Sequence, residues 1–178
     1  ATATSATPNG KFTFNVTQLA TSSAHAGSTD VGQALAPTND VSGLTVAAAG
    51  FATDITAGYF TVNGQQVTVA TTDSLEDVFT AISTATGGVV TGSYDSATDK
   101  FALASAGEIV LGSATDSSNF LSVAKLYNNG TGAVSSNGKL GAVNQTDLLG
   151  SANFSTAVSD GGAGAGSFKI NGVAIAFD

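Results

Sequence analysis

Cysteine, methionine, tryptophan and arginine are all missing from this sequence, and histidine occurs once. Each absence removes a class of chemistry. Without cysteine there is no disulfide framework, no thiolate zinc ligand and no thiol nucleophile. His25 stands alone in a polar segment, so neither a Ser-His-Asp set nor a histidine metal site can be assembled, and it reads as a surface or loop residue. Phosphate recognition leans on arginine forks and basic stripes. Here the five basic residues are all lysine and face 13 acidic ones, for a net charge of −8. Nucleic acid and anionic membrane are therefore not expected partners. No apolar run approaches a membrane span, so membrane insertion is not expected either. The N-terminus shows no charged region leading into an apolar core, so no export signal is read there. Only 10% of residues are charged. The polar surface falls to Ser, Thr, Asn, Gln and Gly, a composition common on secreted, assembled proteins.

What the chain does have is a repeat. Gly58 to Val69, GYFTVNGQQVTV, is echoed by Gly166 to Phe177, GSFKINGVAIAF. Each copy is apolar alternation, then Asn-Gly, then alternation again. Asn63-Gly64 and Asn171-Gly172 supply the two positive-φ residues of a type I′ turn, so each copy predicts a β-hairpin. A two-residue turn fixes the register: Val62 opposite Gln65, Phe60 opposite Val67, and Phe168 opposite Ile175. Phe60 and Val62 then share one face, as do Phe168 and Ile170. A recurring unit that buries one face points to an interaction or assembly module more than to an enzyme.

With 178 residues and 42% hydrophobic content, the chain can hold one domain or two small ones. Phe12, Phe14 and Val16 alternate with polar residues and predict a half-buried strand entered through Asn9-Gly10. Residues 20–43 are a Ser/Thr/Gly/Asp-rich excursion, and Leu44 to Ala49 is a second strand or a short buried segment. After the first hairpin, Asp73 is expected to cap a helix, with Glu76 at the capping-box position. Leu75, Val78, Phe79 and Ile82 form one apolar stripe at helical spacing, and Gly87-Gly88 ends it. Val89 to Tyr94 and Lys100 to Ala104 flank the loop Asp95 to Asp99 as another hairpin. Glu108 to Leu111 is a candidate further strand. Phe120, Leu121, Ala124 and Leu126 predict a short helix after Ser117-Ser118. A flexible Gly/Asn/Ser-rich connection follows, with 140–149 a strand or short helix inside it.

The expected class is α+β: β-rich overall, built of antiparallel β-hairpins with a single packed helix per repeat, in two small units. The expected division is 1–50, the N-terminal strand and excursion; 51–127, the first α+β domain; 128–165, the connection; and 166–178, the start of a second repeat. Because that second copy stops before a helix, the chain reads as a fragment of a longer protein.

Little here suggests a chemical site. Asp95, Asp99 and Asp116 lie in loops beside Ser and Thr oxygens, which suit a hard cation such as calcium. Their spacing matches neither an EF-hand nor a nonapeptide repeat, and turn residues are the plainer reading. Helix capping accounts for Asp73 and Glu76. The run Gly161 to Gly166 precedes a strand, not a helix, and no Lys-Ser or Lys-Thr follows, so it is not a phosphate loop. Asn15, Asn129, Asn144 and Asn153 open glycosylation-type triplets that so Ser/Thr/Asn-rich a chain generates by chance. No catalytic activity, cofactor or metal is expected.

Three stretches together resemble the bacterial flagellar hook-associated protein 2 family, the filament cap. Phe12 to Ala20, FTFNVTQLA, is similar to that family's strand ending in Gln-Leu-Ala. Gly58 to Ile82, followed by GGVVTGSYDSATDKFAL, is similar to the flagellin hook IN motif: G-x-F-x-hydrophobic-N-G, then D-S-L-x-D-hydrophobic, a helix, and a strand hairpin closing in K-hydrophobic-x-L. The helix here reads Ala81-Ile82-Ser83 where the motif ends in Ala-Ile-Asn. The third stretch is the second copy from Gly166. The resemblance covers roughly half the chain, and other hook-associated proteins and some flagellins carry the same repeat. It implies the outward-facing head of an extracellular, non-enzymatic protein at the filament tip, made of two small head domains. It further implies ring-forming self-association through coiled-coil terminal helices in the full-length protein, flagellin as a partner, and a contribution to adhesion on host surface glycans or mucin. Another hook-associated protein, a flagellin outer domain, a phage tail protein or an adhesin module is the alternative. Composition and spacing alone carry only the hairpins and the helix.

Overall fold

The computed structural model describes residues 31–158 and 166–177. The expected strand at Phe12 to Val16, His25, and the first part of the excursion lie outside the described residues. Strand β1 (Gly58–Val62) turns through Asn63-Gly64 into β2 (Gln65–Val69). The turn residues have φ of 50° and 77°, the left-handed values that a type I′ turn demands. Val62 pairs with Gln65 and Phe60 with Val67, as the alternation predicts.

Helix α1 (Leu75–Ala85) follows at once, and Leu75, Val78, Phe79 and Ile82 are buried. Its cap lies one residue later than expected. Ser74, not Asp73, is the N-cap, and Asp77, not Glu76, closes the capping box. The Ser74 hydroxyl accepts from the Asp77 N–H at 3.1 Å, and the Asp77 carboxylate accepts from the Ser74 N–H at 3.0 Å. The sequence D-S-L-E-D offers two overlapping boxes. Asp73 is taken by the preceding turn, where its carboxylate accepts the Ala70 N–H at 2.8 Å. That leaves Ser74 to cap and puts Leu75 into the core at the first helical position. The helix stops where Gly88 N–H reaches back to the Ser83 carbonyl at 2.7 Å, a closure that glycine past the helix end favours.

Strand β3 (Val90–Asp95) pairs with β4 (Lys100–Ile109), and β4 pairs in turn with β5 (Gly130–Ser135). Between β4 and β5 lies the short helix α2 (Phe120–Val123). The expected strand at Glu108 to Leu111 is the end of β4, reached after a register shift between Ala104 and Glu108. The shift swings the chain onto the outer edge of β1, where Asn63 N–H bonds to the Val110 carbonyl and Gly112 N–H to the Thr61 carbonyl, both at 2.8 Å. The second copy forms β6 (Gly166–Ile170) and β7 (Val173–Phe177) around Asn171-Gly172, with Phe168 opposite Ile175. Among the described residues, then, the protein is β-rich: three small antiparallel sheets and two helices, compatible with α+β.

Two parts of the expected division do not correspond to the structure. Residues 31–50 are not a separate excursion, because Ala36, Val41, Val46 and Ala49 sit in the same core as α1 and β1. Leu44 to Ala49 is not a strand. It lies along the turn into α1, with Val46 N–H on the Asp73 carbonyl and Ala47 N–H on that of Thr71. Residues 128–165 are not simply a connection, since β5 completes the larger sheet and Val134 and Leu140 are buried in the core. The stretch 140–149 is neither strand nor helix, and Leu148 is 83% exposed. Glycine content suggested a linker, but β5 is held by its partner β4 more than by its own propensity.

The core is organised by aromatic rings. Phe101 meets Phe79 edge-on at 5.1 Å and Phe51 and Tyr94 at 6.1 Å, and stacks with Phe120 at 6.1 Å. Phe120 in turn stacks on Phe60 at 4.5 Å. Gly92 on β3 lies beneath the Phe79 ring, and a β-carbon there would fall 2.5 Å from Phe79 Cδ1. Phe79→Ala should cost about 3–5 kcal/mol in a urea titration, as for other large-to-small core changes. Gly92→Ala should cost about 1–3 kcal/mol by overpacking. In the Phe79→Ala background the Gly92→Ala cost should largely vanish, because the clashing ring is gone. Strictly additive costs would mean that the two residues do not touch.

Candidate functional site

The three loop aspartates are where a cation site was conceivable, and the structure gives each of them another occupation. Asp99 is buried, at φ 54°. Its Oδ1 accepts from the Leu35 N–H at 3.0 Å and the Tyr94 hydroxyl at 2.8 Å. Its Oδ2 accepts from the Leu140 N–H at 3.0 Å and the Gly141 N–H at 2.7 Å. Asp116 receives the Thr61 hydroxyl at 2.6 Å, the Thr61 N–H at 3.2 Å and the Ser113 N–H at 3.1 Å. Asp95 receives the Thr98 hydroxyl at 2.5 Å and the Ala97 N–H at 3.1 Å. The Thr98 hydroxyl above all, then the Ala97 N–H, holds the Asp95 carboxyl below its ordinary value. These oxygens already accept from N–H and O–H donors. Among the described residues no three His, Asp or Glu are grouped to hold a metal ion, and no buried side-chain nitrogen or oxygen lacks a hydrogen-bond partner.

A groove of about 1150 Å³ runs between residues 33–37, 47–54 and 142–153. Its polar side chains are mostly amides and hydroxyls, and its charged ones are Asp54 and Asp147. Amides, hydroxyls and backbone groups of this kind hydrogen-bond neutral polar matter.

The motif residues divide into two places. Phe60, Val62, Leu75, Val78, Phe79 and Ile82 come together in the core of the first unit, where they are structural. Asn63 is more than a turn residue. Its side-chain amide donates to the Glu108 carbonyl at 3.1 Å and accepts from the Val110 N–H at 2.7 Å, clamping the hairpin tip to the end of β4. Asp73 closes the turn before α1. The second copy stands otherwise. Phe168, Ile170 and Ile175 are 50%, 58% and 40% exposed, whereas their counterparts Phe60, Val62 and Val67 are 0%, 0% and 1% exposed. The only large apolar face on the described surface with a regular hairpin behind it is this one.

Compared with protein-family models, curated proteins and solved structures, the chain matches none.

What sequence reasoning missed is the role of Asp99 as a buried acceptor and of Tyr94 as its donor. An aspartate in a hairpin loop reads as a turn former, and nothing local signals that the amides of Leu35 and Leu140 converge on it. Asp99→Ala should cost about 3–5 kcal/mol in a denaturant titration, because buried donors lose their acceptor. A cost below about 1 kcal/mol would show that water replaces the carboxylate freely. The Tyr94 hydroxyl is pushed from 10.0 up to about 12, chiefly by burial; the Ala36 backbone opposes the rise and the Asp99 carboxylate adds to it. A raised folded-state value favours the protonated hydroxyl, so this contribution to stability is complete below pH 10 and is lost as pH climbs from 10 through about 12. Tyr94→Phe should remove that part of the alkaline slope. An identical slope in both proteins, from unfolding measured across the window, would overturn the assignment.

Proposed function

We propose that this chain is a structural assembly module, and specifically the outward-facing head of a flagellar filament cap. In that reading it is an extracellular protein at the filament tip that forms a ring when full length and under which flagellin is added. One observation carries it. The same Asn-Gly hairpin occurs twice, and the first copy is closed by a helix whose D-S-L-E-D entry has a residue-by-residue physical rationale: Asp73 ends the turn, Ser74 caps, Leu75 enters the core and Asp77 completes the box. These stretches are the ones that resemble the hook IN motif of hook-associated protein 2, including the strand pair that closes in Lys100-Phe101-Ala102-Leu103. The second hairpin then belongs to a second head domain of the same kind.

The rest of the molecule supports an interaction role over an enzymatic one. Asp95, Asp99 and Asp116 hold loops, and the groove is lined mostly by amides, hydroxyls and backbone. A surface poor in charge, acidic and free of arginine disfavours adventitious binding to nucleic acid and anionic lipid. A head of this composition leaves hydrogen-bonding amides and hydroxyls as the means of any adhesive contact with glycans or mucin.

Gold-labelled antibody raised against this chain, applied to intact flagellated cells of the source strain, tests the proposal. Label confined to filament tips is the expected result. Label along the filament shaft would instead indicate a flagellin outer domain, label at the hook junction another hook-associated protein, and label away from flagella would overturn the flagellar assignment altogether.

A further inference from the structure

The two copies of the hairpin carry the same reactive dipeptide in two different environments. In an Asn-Gly pair the glycine amide nitrogen can attack the asparagine side chain, because glycine has no β-carbon to crowd the approach. We infer that Asn171 is a site of spontaneous deamidation and isoaspartate formation in the folded protein, and that Asn63, its counterpart in the first copy, is protected. The inference does not depend on the flagellar reading.

The chemistry needs only water and base. The Gly172 amide nitrogen gives up its proton to hydroxide and bonds to Asn171 Cγ. The Cγ–Nδ2 bond breaks, and ammonia leaves after taking a proton from solvent. The resulting cyclic imide is opened by water at either carbonyl, giving aspartate or isoaspartate. Net, an amide and water become a carboxylate and ammonium.

Backbone conformation is matched between the copies. Asn63 and Asn171 have φ of 50° and 49°, and Gly64 and Gly172 of 77° and 81°. The residue before each asparagine is β-branched, Val62 or Ile170. A closed type I′ turn does not bring the glycine nitrogen in line with Cγ, so the turn must open before the ring can form, and the free energy of local opening sets the rate. The copies part at this point. Opening the first turn breaks the Asn63 Nδ2 bond to the Glu108 carbonyl, the bond from Val110 N–H to Oδ1, and the bond from Asn63 N–H to the Val110 carbonyl. It also disturbs Val62 and Val67, which are buried. Asn171 is exposed and its side-chain amide has no hydrogen bond among the described residues, while Ile170 and Val173 beside the turn are 58% and 62% exposed. A two-stranded hairpin whose Ile170, Val173 and Ile175 stay 40–62% exposed opens at lower cost than one buried in a core. The leaving amide is thus anchored in one copy and loose in the other.

Isoaspartate would add a methylene to the main chain at a position that must be left-handed. The two-residue turn would then no longer hold Phe168 opposite Ile175, and a new negative charge would sit at the hairpin tip.

The test is a time course on the intact 178-residue chain in mildly alkaline buffer. Peptide mapping by mass spectrometry follows amide-to-acid conversion at each asparagine, and electron-transfer fragmentation separates isoaspartate from aspartate. Asn171 should convert at least about tenfold faster than Asn63 in the folded protein, reflecting its lower opening cost. In concentrated urea the two rates should converge, since the clamp is gone and the dipeptides are alike. Equal rates in the folded protein, faster conversion at Asn63, or a difference that persists in urea would each overturn the inference. So would a folded sample in which Asn171 stays intact while the urea sample converts.

Discussion

The start of β4 is the constraint on which the described fold depends. Asp99 and Phe101 flank Lys100 at the exit of the β3–β4 loop and point into two different networks. Asp99 gathers the amides of Leu35, Leu140 and Gly141 and the Tyr94 hydroxyl. Phe101 gathers the rings of Phe51, Phe79, Tyr94 and Phe120. The first network ties the irregular segments on either side of the repeat unit to the hairpin, and the second ties α1 and α2 to the sheet. A left-handed aspartate makes both possible. Its backbone ends the loop so that the next residues enter the strand, while its side chain turns inward instead of out to water. Irregular chain such as 31–50 and 136–154 carries few ladder hydrogen bonds of its own. A buried carboxylate offering several acceptor positions to backbone amides is one of few groups that can satisfy such chain in the interior.

The hairpins and the helix were legible in the sequence because their causes are local. Asn-Gly flanked by apolar alternation dictates a turn, a two-residue loop dictates its own register, and the spacing of Leu75, Val78, Phe79 and Ile82 dictates a face. The cap slipped by one residue because two boxes overlap in D-S-L-E-D, and the choice between them rests on whether Asp73 is already engaged. The β5 strand and the burial of residues 31–50 were not legible, because their causes are distant. Gly130 to Ser135 has little strand propensity, and only the β4 edge makes a strand of it. Val41 and Val46 follow no periodic pattern, and they are inside because Asp99 and the turn before α1 hold that segment down.

The repeat shows how far sequence similarity carries and where it stops. Both copies make the same turn with almost the same φ values, whereas Asn129-Gly130 and Asn137-Gly138 make no such turn, so the dipeptide needs apolar alternation on both sides to set the hairpin. Burial is decided elsewhere. The first hairpin is covered by α1 and α2 and edged by residues 110–117, whereas Phe168, Ile170 and Ile175 of the second remain substantially in water. Being about half exposed, each such side chain forgoes about 1 kcal/mol that its counterpart gains from full burial. The two copies are therefore one structural unit in two energetic states.

Chain connection explains why the first unit closes on itself. Ala70 to Ser74 is too short to carry α1 anywhere but back across β1 and β2, and Asp73 spends its carboxylate tightening that link. Once the helix is returned, its stripe has a single apolar face within reach, and Phe79 finds room only because Gly92 has no side chain. Turn, link, cap and gap all favour the same packing, which is how a short unit built largely from Ala, Gly, Ser and Thr can specify one arrangement.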